Sequence, residues 1–220
     1  MPAELRVISW NLLHTVGAGV EQVQALIRRE KPDLLLMQEA TAWIDILPER
    51  LGGHYARVNL PGRHHGLAAW SPHPLHAPAS SLALQKGLIM RRVCQILNLG
   101  AFSVANVHLS HGQMLNRRQL RRIAGILPPK AAILGDCNML GASFLPGFQD
   151  VGTRLPTHRM SGILPLRLDR CFIRGLSCLG ADVLNPGASD HHPLMVVLCA
   201  GGQEGQESRE NQQGQEGRIK

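Results

Sequence analysis

Residues 132–139 read AILGDCNM. An apolar run, Ala132, Ile133 and Leu134, meets a glycine, and Asp136 and Asn138 follow with one residue between them. The run has the length and content of a strand buried on both faces. Side chains two apart on a strand share a face, so Asp136 and Asn138 would project together if the strand continued. A carboxylate there can bind a hard cation or hold a water, and an amide beside it can donate to a phosphate oxygen. Gly135 leaves room for close approach of backbone or ligand. Gly-Asp-x-Asn is also good turn chemistry after a strand. Both readings stay open on this stretch alone.

The same kind of ending recurs outward along the chain. LRVISW (5–10) predicts a strand that runs into Asn11, and LLLMQE (34–39) predicts another that closes on Glu39. Between them VEQVQALIRRE (20–30) has apolar residues at 20, 23, 26 and 27, which is helical spacing, and Lys31-Pro32-Asp33 stops it. Shorter apolar runs lie at 55–60 and 66–70, and the proline-rich stretch 71–81 leaves room for an edge strand at most. Residues 87–99 and 101–110 read as two strands of a hairpin turning at Gly100, the second carrying His108. QMLNRRQLRRIAGIL (113–127) is a predicted helix that Pro128-Pro129 ends before the opening stretch. Strands are predicted again at 166–173, which contains Asp169, at 179–184 and at 192–199, with Asp190 and His191 just before the last. Strand–helix alternation thus gives way to strands, which fits an α+β protein with mixed sheets and helices packed outside.

The chain has 220 residues, 44% of them hydrophobic, enough for one domain over 1–200 with a sizeable core. Residues 201–220 carry almost no apolar side chains and are expected to be a disordered polar tail. The five cysteines form no CxxC, which points to reduced thiols and a cytoplasmic setting instead of a disulfide frame or a zinc cluster. The N-terminus shows no signal-peptide pattern, and no apolar run is long enough to span a membrane. A formal charge of +7 favours a polyanionic partner such as nucleic acid or an anionic membrane surface. The chain is expected to act as a monomer.

If the strand ends meet at one rim, they assemble carboxylates, amides and imidazoles. That inventory suits metal-assisted hydrolysis of a phosphoester. Glu39, with Asn11 or Asp190, would offer oxygen ligands to Mg²⁺, with Mn²⁺ as the alternative. Histidines near neutrality can move protons, and Asp169 beside one of them would fix its tautomer and favour the imidazolium. Each residue also has a plainer reading. Glu39 could start a helix, His108 could be a bonded core histidine, Asp190 could cap a turn, and Asp169 could pair on the surface with Arg167 or Arg170. Arg92 could donate to a substrate phosphate or sit on a sheet surface. The arginines at 117, 118, 121 and 122 read as a solvated helix face, and His64, His65, His73 and His76 as loop residues without a coordination set.

The blocks SWNLLH, LLLMQE, ANVHLS, LGDCNM, LRLDRCFI and SDHHPL, in this order over residues 5–199, resemble the endonuclease/exonuclease/phosphatase superfamily. The resemblance implies the DNase I-like four-layered sandwich, two packed mixed β-sheets flanked by helices, with the site at one rim. It implies that Glu39 is the principal metal ligand, supported by Asn11 and Asp190. His108 would contact the scissile phosphate, Asp136 would orient or deprotonate the water, and Asn138 would position water or phosphate. His191, oriented by Asp169, would act as general base or transition-state donor. A threonine lies near Thr157 in relatives and would make a minor substrate contact. Two features depart from the pattern: Cys137 replaces a larger residue, and no tyrosine or acidic partner for the first histidine is matched. The expected activity is a Mg²⁺-dependent phosphodiesterase or endonuclease on nucleic acid. The rivals are a lipid or small-molecule phosphoesterase of the same superfamily and a non-catalytic binding module.

Overall fold

The apolar runs form strands because most have two faces to bury. The computed structural model describes residues 4–14, 16–87 and 90–201; the expected tail, 202–220, lies outside them. In chain order the elements are β1 (Glu4–Asn11), α1 (Val20–Glu30), β2 (Leu34–Thr41), α2 (Leu47–Leu51), β3 (His54–Asn59), β4 (His65–Ser71), β5 (Ser80–Ala83), β6 (Val93–Asn98), β7 (Ser103–His108) and α3 (Gln113–Ile126). They continue as β8 (Ala131–Asp136), β9 (Gln149–Asp150), β10 (His158–Met160), β11 (Leu164–Leu166), β12 (Asp169–Arg174), β13 (Ser177–Val183) and β14 (Leu194–Cys199).

Among the described residues, two six-stranded sheets form, ordered β13-β14-β1-β2-β4-β3 and β5-β6-β7-β8-β12-β9. Each contains one parallel pair, β1 with β2 and β7 with β8, joined through α1 and α3; the other pairs are antiparallel. Alternate residues of the central strands serve different layers. Leu5, Val7, Leu34, Leu36, Val104, Ala132 and Leu134 meet between the sheets. Ile8, Trp10, Leu35 and Met37 pack with Val23, Leu26 and Ile27 of α1, and Ala105, Val107, Ala131 and Ile133 pack with Leu120 and Ile123 of α3. The result is helix, sheet, sheet, helix, the expected four-layered α+β sandwich.

The structure departs from the sequence-based expectations at several points, among them α2 and β9, which no apolar run announces. Of the strand expected over 87–99, residues 88 and 89 lie outside the described residues, and β6 covers Val93–Asn98. The run 166–173 breaks between β11 and β12, and the small hairpin β10–β11 was not anticipated. His65 opens β4 as a buried residue instead of lying in a loop.

The layer between the apolar inter-sheet core and the rim is polar. Gln38 Nε2 donates to Ser9 Oγ at 3.0 Å and to Asn106 Oδ1 at 2.8 Å; Asn106 Nδ2 donates to Gln95 Oε1 at 3.0 Å and to the Ala68 carbonyl at 3.0 Å. This chain of buried amides ties the two sheets together just below the strand ends that carry the candidate site. Gly135 brings β8 close to β7: it has φ +141°, and a Cβ there would sit 2.0 Å from the Val107 carbonyl oxygen. No other residue fits at that position. No helix among the described residues is long and apolar enough to cross a membrane.

Candidate active site

Register builds the centre of the site. His108 pairs with Asp136 across β7 and β8, and Asp136 pairs with Asp169 across β8 and β12. Three strands of one sheet therefore end on one row. Asn11, at the end of β1 in the other sheet, reaches across: its Nδ2 donates to Asp136 Oδ2 at 3.0 Å. His108 Nε2 lies 3.3 Å and His191 Nε2 3.7 Å from the same carboxylate oxygen. His191 Nδ1 is 2.8 Å from Asp169 Oδ2. The loop carrying Asp190 and His191 is tied to β1, because Trp10 Nε1 donates to the His191 carbonyl at 3.0 Å and Ser189 Oγ to the Asn11 carbonyl at 2.7 Å.

Glu39 enters the site through a break in alternation. The β2–β4 register shifts between Gln38 and Ala40, and Glu39 has φ +56°. A non-glycine residue in the left-handed region costs on the order of 1 kcal/mol, a strain that concentrates at functional positions. Its carboxylate accepts from the His14 backbone N–H at 3.2 Å and contacts His14 Nδ1, and its Oε1 lies 3.9 Å from His108 Nδ1. The His14 ring stacks on His65 with centroids 4.0 Å apart. His14 and His65 carried no signal in the sequence reading, since neither lies in a spaced ligand pattern.

Asn138 does not continue the strand beside Asp136. It takes φ +49°, its N–H caps Asp136 Oδ1 at 2.9 Å, and its Nδ2 donates to the Leu109 carbonyl at 3.0 Å. The turn chemistry of Gly-Asp-x-Asn thus operates, and it serves to aim the Asp136 carboxylate. Asn11, Glu39, Asn138, Asp190 and His191 line one cavity of about 430 Å³, with Leu13, His111, His158 and Met160 among the other walls.

Three of the candidates, Asp169, Arg92 and Thr157, lie deep in the protein. Asp169 is no surface ion-pair partner: it is buried against His191, while Arg167 and Arg170 pair with Asp150. Arg92 is not on a sheet surface: it is 4% exposed, and its Nε and Nη1 have no partner among the described residues. Burial lowers its pKa against the pull of Asp136 and Glu39. Thr157 does not face the cavity. It is 0% exposed, and its Oγ1 accepts from the Leu168 N–H at 3.1 Å and the Asp169 N–H at 2.9 Å. Thr157→Val is therefore expected to cost about 1–3 kcal/mol, the penalty for stranding buried N–H groups, with Thr157→Ser nearly neutral. Urea denaturation of both variants checks this; equal losses would point to packing instead of the hydroxyl.

The protonation states diverge within a few ångströms. Burial, reinforced by Arg92 and His191, pushes the His108 pKa well below the usual histidine value, so the ring is neutral. Burial also works against a proton on His191, but Asp169 and Asp136 outweigh it and raise that pKa to about 9. Asp136 itself is pushed up by burial, against His191 and the Asn138 and Asn11 bonds. Burial raises Glu39, yet its contacts with His14 prevail and hold it below the usual carboxylate value. Neighbouring groups whose pKa values are driven apart are what acid–base chemistry requires.

The model of the Endonuclease/Exonuclease/phosphatase family matches residues 8–191. This chain belongs to that family. It is accordingly a metal-dependent hydrolase of phosphate esters. Solved structures share the fold at low identity. An endonuclease/exonuclease/phosphatase from Beutenbergia cavernae is 18% identical with a TM-score of 0.73, over 91% of this chain and 72% of that one. D. rerio TDP2 complexed with a single-strand DNA product is 15% identical with a TM-score of 0.70, over 90% and 99%. ANGEL2, a 2′,3′-cyclic phosphatase in complex with adenosine-2′,3′-vanadate, is 15% identical with a TM-score of 0.66, over 90% and 96%. No curated protein matches the chain by sequence.

The donors in the cavity fit a hard divalent cation, the group this family uses. Glu39 offers a low-pKa carboxylate, and Asp190 Oδ1 is buried with no hydrogen-bond partner among the described residues. Asn11 contributes less directly: its Oδ1 accepts from the Leu13 N–H at 3.1 Å while its Nδ2 is committed to Asp136.

Proposed function

We propose that this protein is a Mg²⁺-dependent phosphodiesterase that cuts nucleic acid by attack of water, with Mn²⁺ as the alternative cation. One observation carries the reading: a buried carboxylate oxygen, Asp136 Oδ2, lies within 3.3 Å of a neutral imidazole and 3.7 Å of a protonated one. Glu39 would hold the cation, with Asp190 and Asn11 in support, and the cation would neutralise charge on the phosphoryl oxygens. Asp136, its basicity raised by burial, accepts the proton of the attacking water. Asn138 and Asn11 fix the direction of that carboxylate. His191 keeps its proton through Asp169 and donates to the oxygen on which charge develops. His108 donates to the phosphate as a neutral group. Arg92 adds its guanidinium from behind, and Thr157 holds Asp169 in place.

Nucleic acid as substrate is supported by the net charge of +7 and by the exposed Arg118, Arg121 and Arg122 on α3. Two structural relatives also hold nucleic-acid-derived ligands, a DNA product and an adenosine vanadate. A lipid phosphodiesterase is the second reading. It is favoured by apolar side chains in the cavity wall, Leu140 and Met160, which are 50% and 47% exposed. The test is hydrolysis by the purified protein of plasmid DNA, abasic duplex, single-stranded RNA, phospholipid vesicles and a simple phosphodiester, with Mg²⁺ and with EDTA. Mg²⁺-dependent cleavage of a nucleic acid is expected. Cleavage confined to the vesicles would replace this reading with the lipid one.

A further inference from the structure

One wall of the cavity holds a donor set that the proposed reaction does not use together. His158, Asp190 and His191 each place a ligand atom within 4.8 Å of the other two. His158 Nε2 is 3.2 Å from Asp190 Oδ2, and the two imidazoles meet edge-on with centroids 4.4 Å apart. The backbone holds them there: residues 158 and 191 form a β-bridge, the Arg159 N–H donates to the Asp190 carbonyl at 3.0 Å, and the His192 N–H donates to the Thr157 carbonyl at 2.7 Å. Assembling the set therefore needs little further ordering of the chain.

The set is also incompletely satisfied. His158 Nδ1 and Asp190 Oδ1 are buried without a hydrogen-bond partner among the described residues. Buried polar atoms of this kind normally find partners, and Asp190 Oδ1 keeps its lone pairs free for a cation; His158 Nδ1 diverges from the Nε2 that meets Asp190. On the other side, Asp169 takes His191 Nδ1 at 2.8 Å and leaves Nε2 to the cavity. A carboxylate on the far nitrogen is the arrangement that orients metal-bound histidines. Two imidazole nitrogens and one carboxylate oxygen, with a fourth position open to the cavity, suit tetrahedral zinc and not Mg²⁺, which prefers oxygen ligands.

We propose that His158, Asp190 and His191 form a zinc site, and that zinc, entering as the His191 Nε2 proton is released to solvent, switches hydrolysis off by occupying that nitrogen. The same ion would draw Asp190 away from the Glu39 side of the cavity. The inhibition rests on the hydrolytic reading above; the binding does not.

The experiment has two arms on the full chain, stripped with EDTA and dialysed. In the first, Zn²⁺ is titrated in competition with a chromophoric chelator. Wild type is expected to take up one tight equivalent, His158→Asn to bind at least about tenfold more weakly, and His158→Cys, which restores a zinc ligand, to recover much of the loss. His73→Asn, in an exposed loop, should bind as wild type does. Equal affinity in wild type and His158→Asn would overturn the site. If His158→Asn fails to fold, zinc-edge X-ray absorption of wild type decides: two imidazoles in the shell support the proposal, and fewer overturn it. In the second arm, hydrolysis with Mg²⁺ is followed against free Zn²⁺, each protein normalised to its own zinc-free rate. The zinc needed for half inhibition should rise in His158→Asn by the same factor as the affinity falls. Tight binding without inhibition would overturn the switch and leave the site. Absence of hydrolysis on every substrate would overturn the proposed function, and the binding arm would still stand on its own result.

Discussion

Asp136→Asn is expected to lower the hydrolytic rate by about a thousandfold or more while leaving the fold in place. The carboxamide has the same shape, and its oxygen can still accept the Asn138 N–H that now caps Oδ1 at 2.9 Å. What it loses is the ability to take a proton and, at the Oδ2 position, the acceptor for the Asn11 Nδ2 bond. In the wild type burial raises the Asp136 pKa, which makes the carboxylate a stronger base than an exposed aspartate. The neutral substitute also leaves His191 with one carboxylate fewer, so the imidazolium is held less firmly. Single-turnover kinetics with saturating Mg²⁺, beside a thermal melt, would read both effects. A rate within a few-fold of wild type in a folded variant would remove Asp136 as the acceptor and pass that role to a histidine.

His191→Ala should cost about as much in rate, because it removes the proton donor that faces the same reacting atoms. It should also change how stability depends on pH. The His191 pKa in the folded protein, about 9, lies above the unfolded value near 6.5. Folding therefore gains from the bound proton, fully below about pH 6.5, and the gain is lost as pH rises through about 9. For a shift of this size the contribution is at most on the order of 3 kcal/mol. Urea denaturation in EDTA should show wild type losing stability across that window and His191→Ala losing much less of it. Parallel pH profiles for the two proteins would mean that Asp169 and Asp136 do not hold a proton on His191.

Much of this was readable along the chain. A two-faced buried strand writes itself as a continuous apolar run, so LRVISW, LLLMQE and AAILG announced the central strands, and the 3.6-residue spacing of 20–30 and 113–127 announced the helices that cover them. The polar residues that close those runs are local signals too, which is why Asn11, Glu39, His108 and Asp136 were legible as candidates before any contact was known.

The rest depends on partners far away in sequence. Whether His108, Asp136 and Asp169 share a row is a matter of register between three strands, and register is set by cross-strand hydrogen bonds that leave no local mark. The bulge that turns Glu39 into the cavity is a mismatch between β2 and β4 and belongs to neither alone. Arg92 and Thr157 look like ordinary polar residues until the packing that buries them is formed. His14, His65 and His158 sit in loops or at strand edges without ligand spacing; the pairing of β1, β2 and β4 within one sheet brings the first two to the rim, and the bridge between residues 158 and 191 brings the third. Local chemistry chose which residues end the strands; long-range pairing chose which of those ends face one another, because the two faces and the register of a sheet are properties of its neighbours.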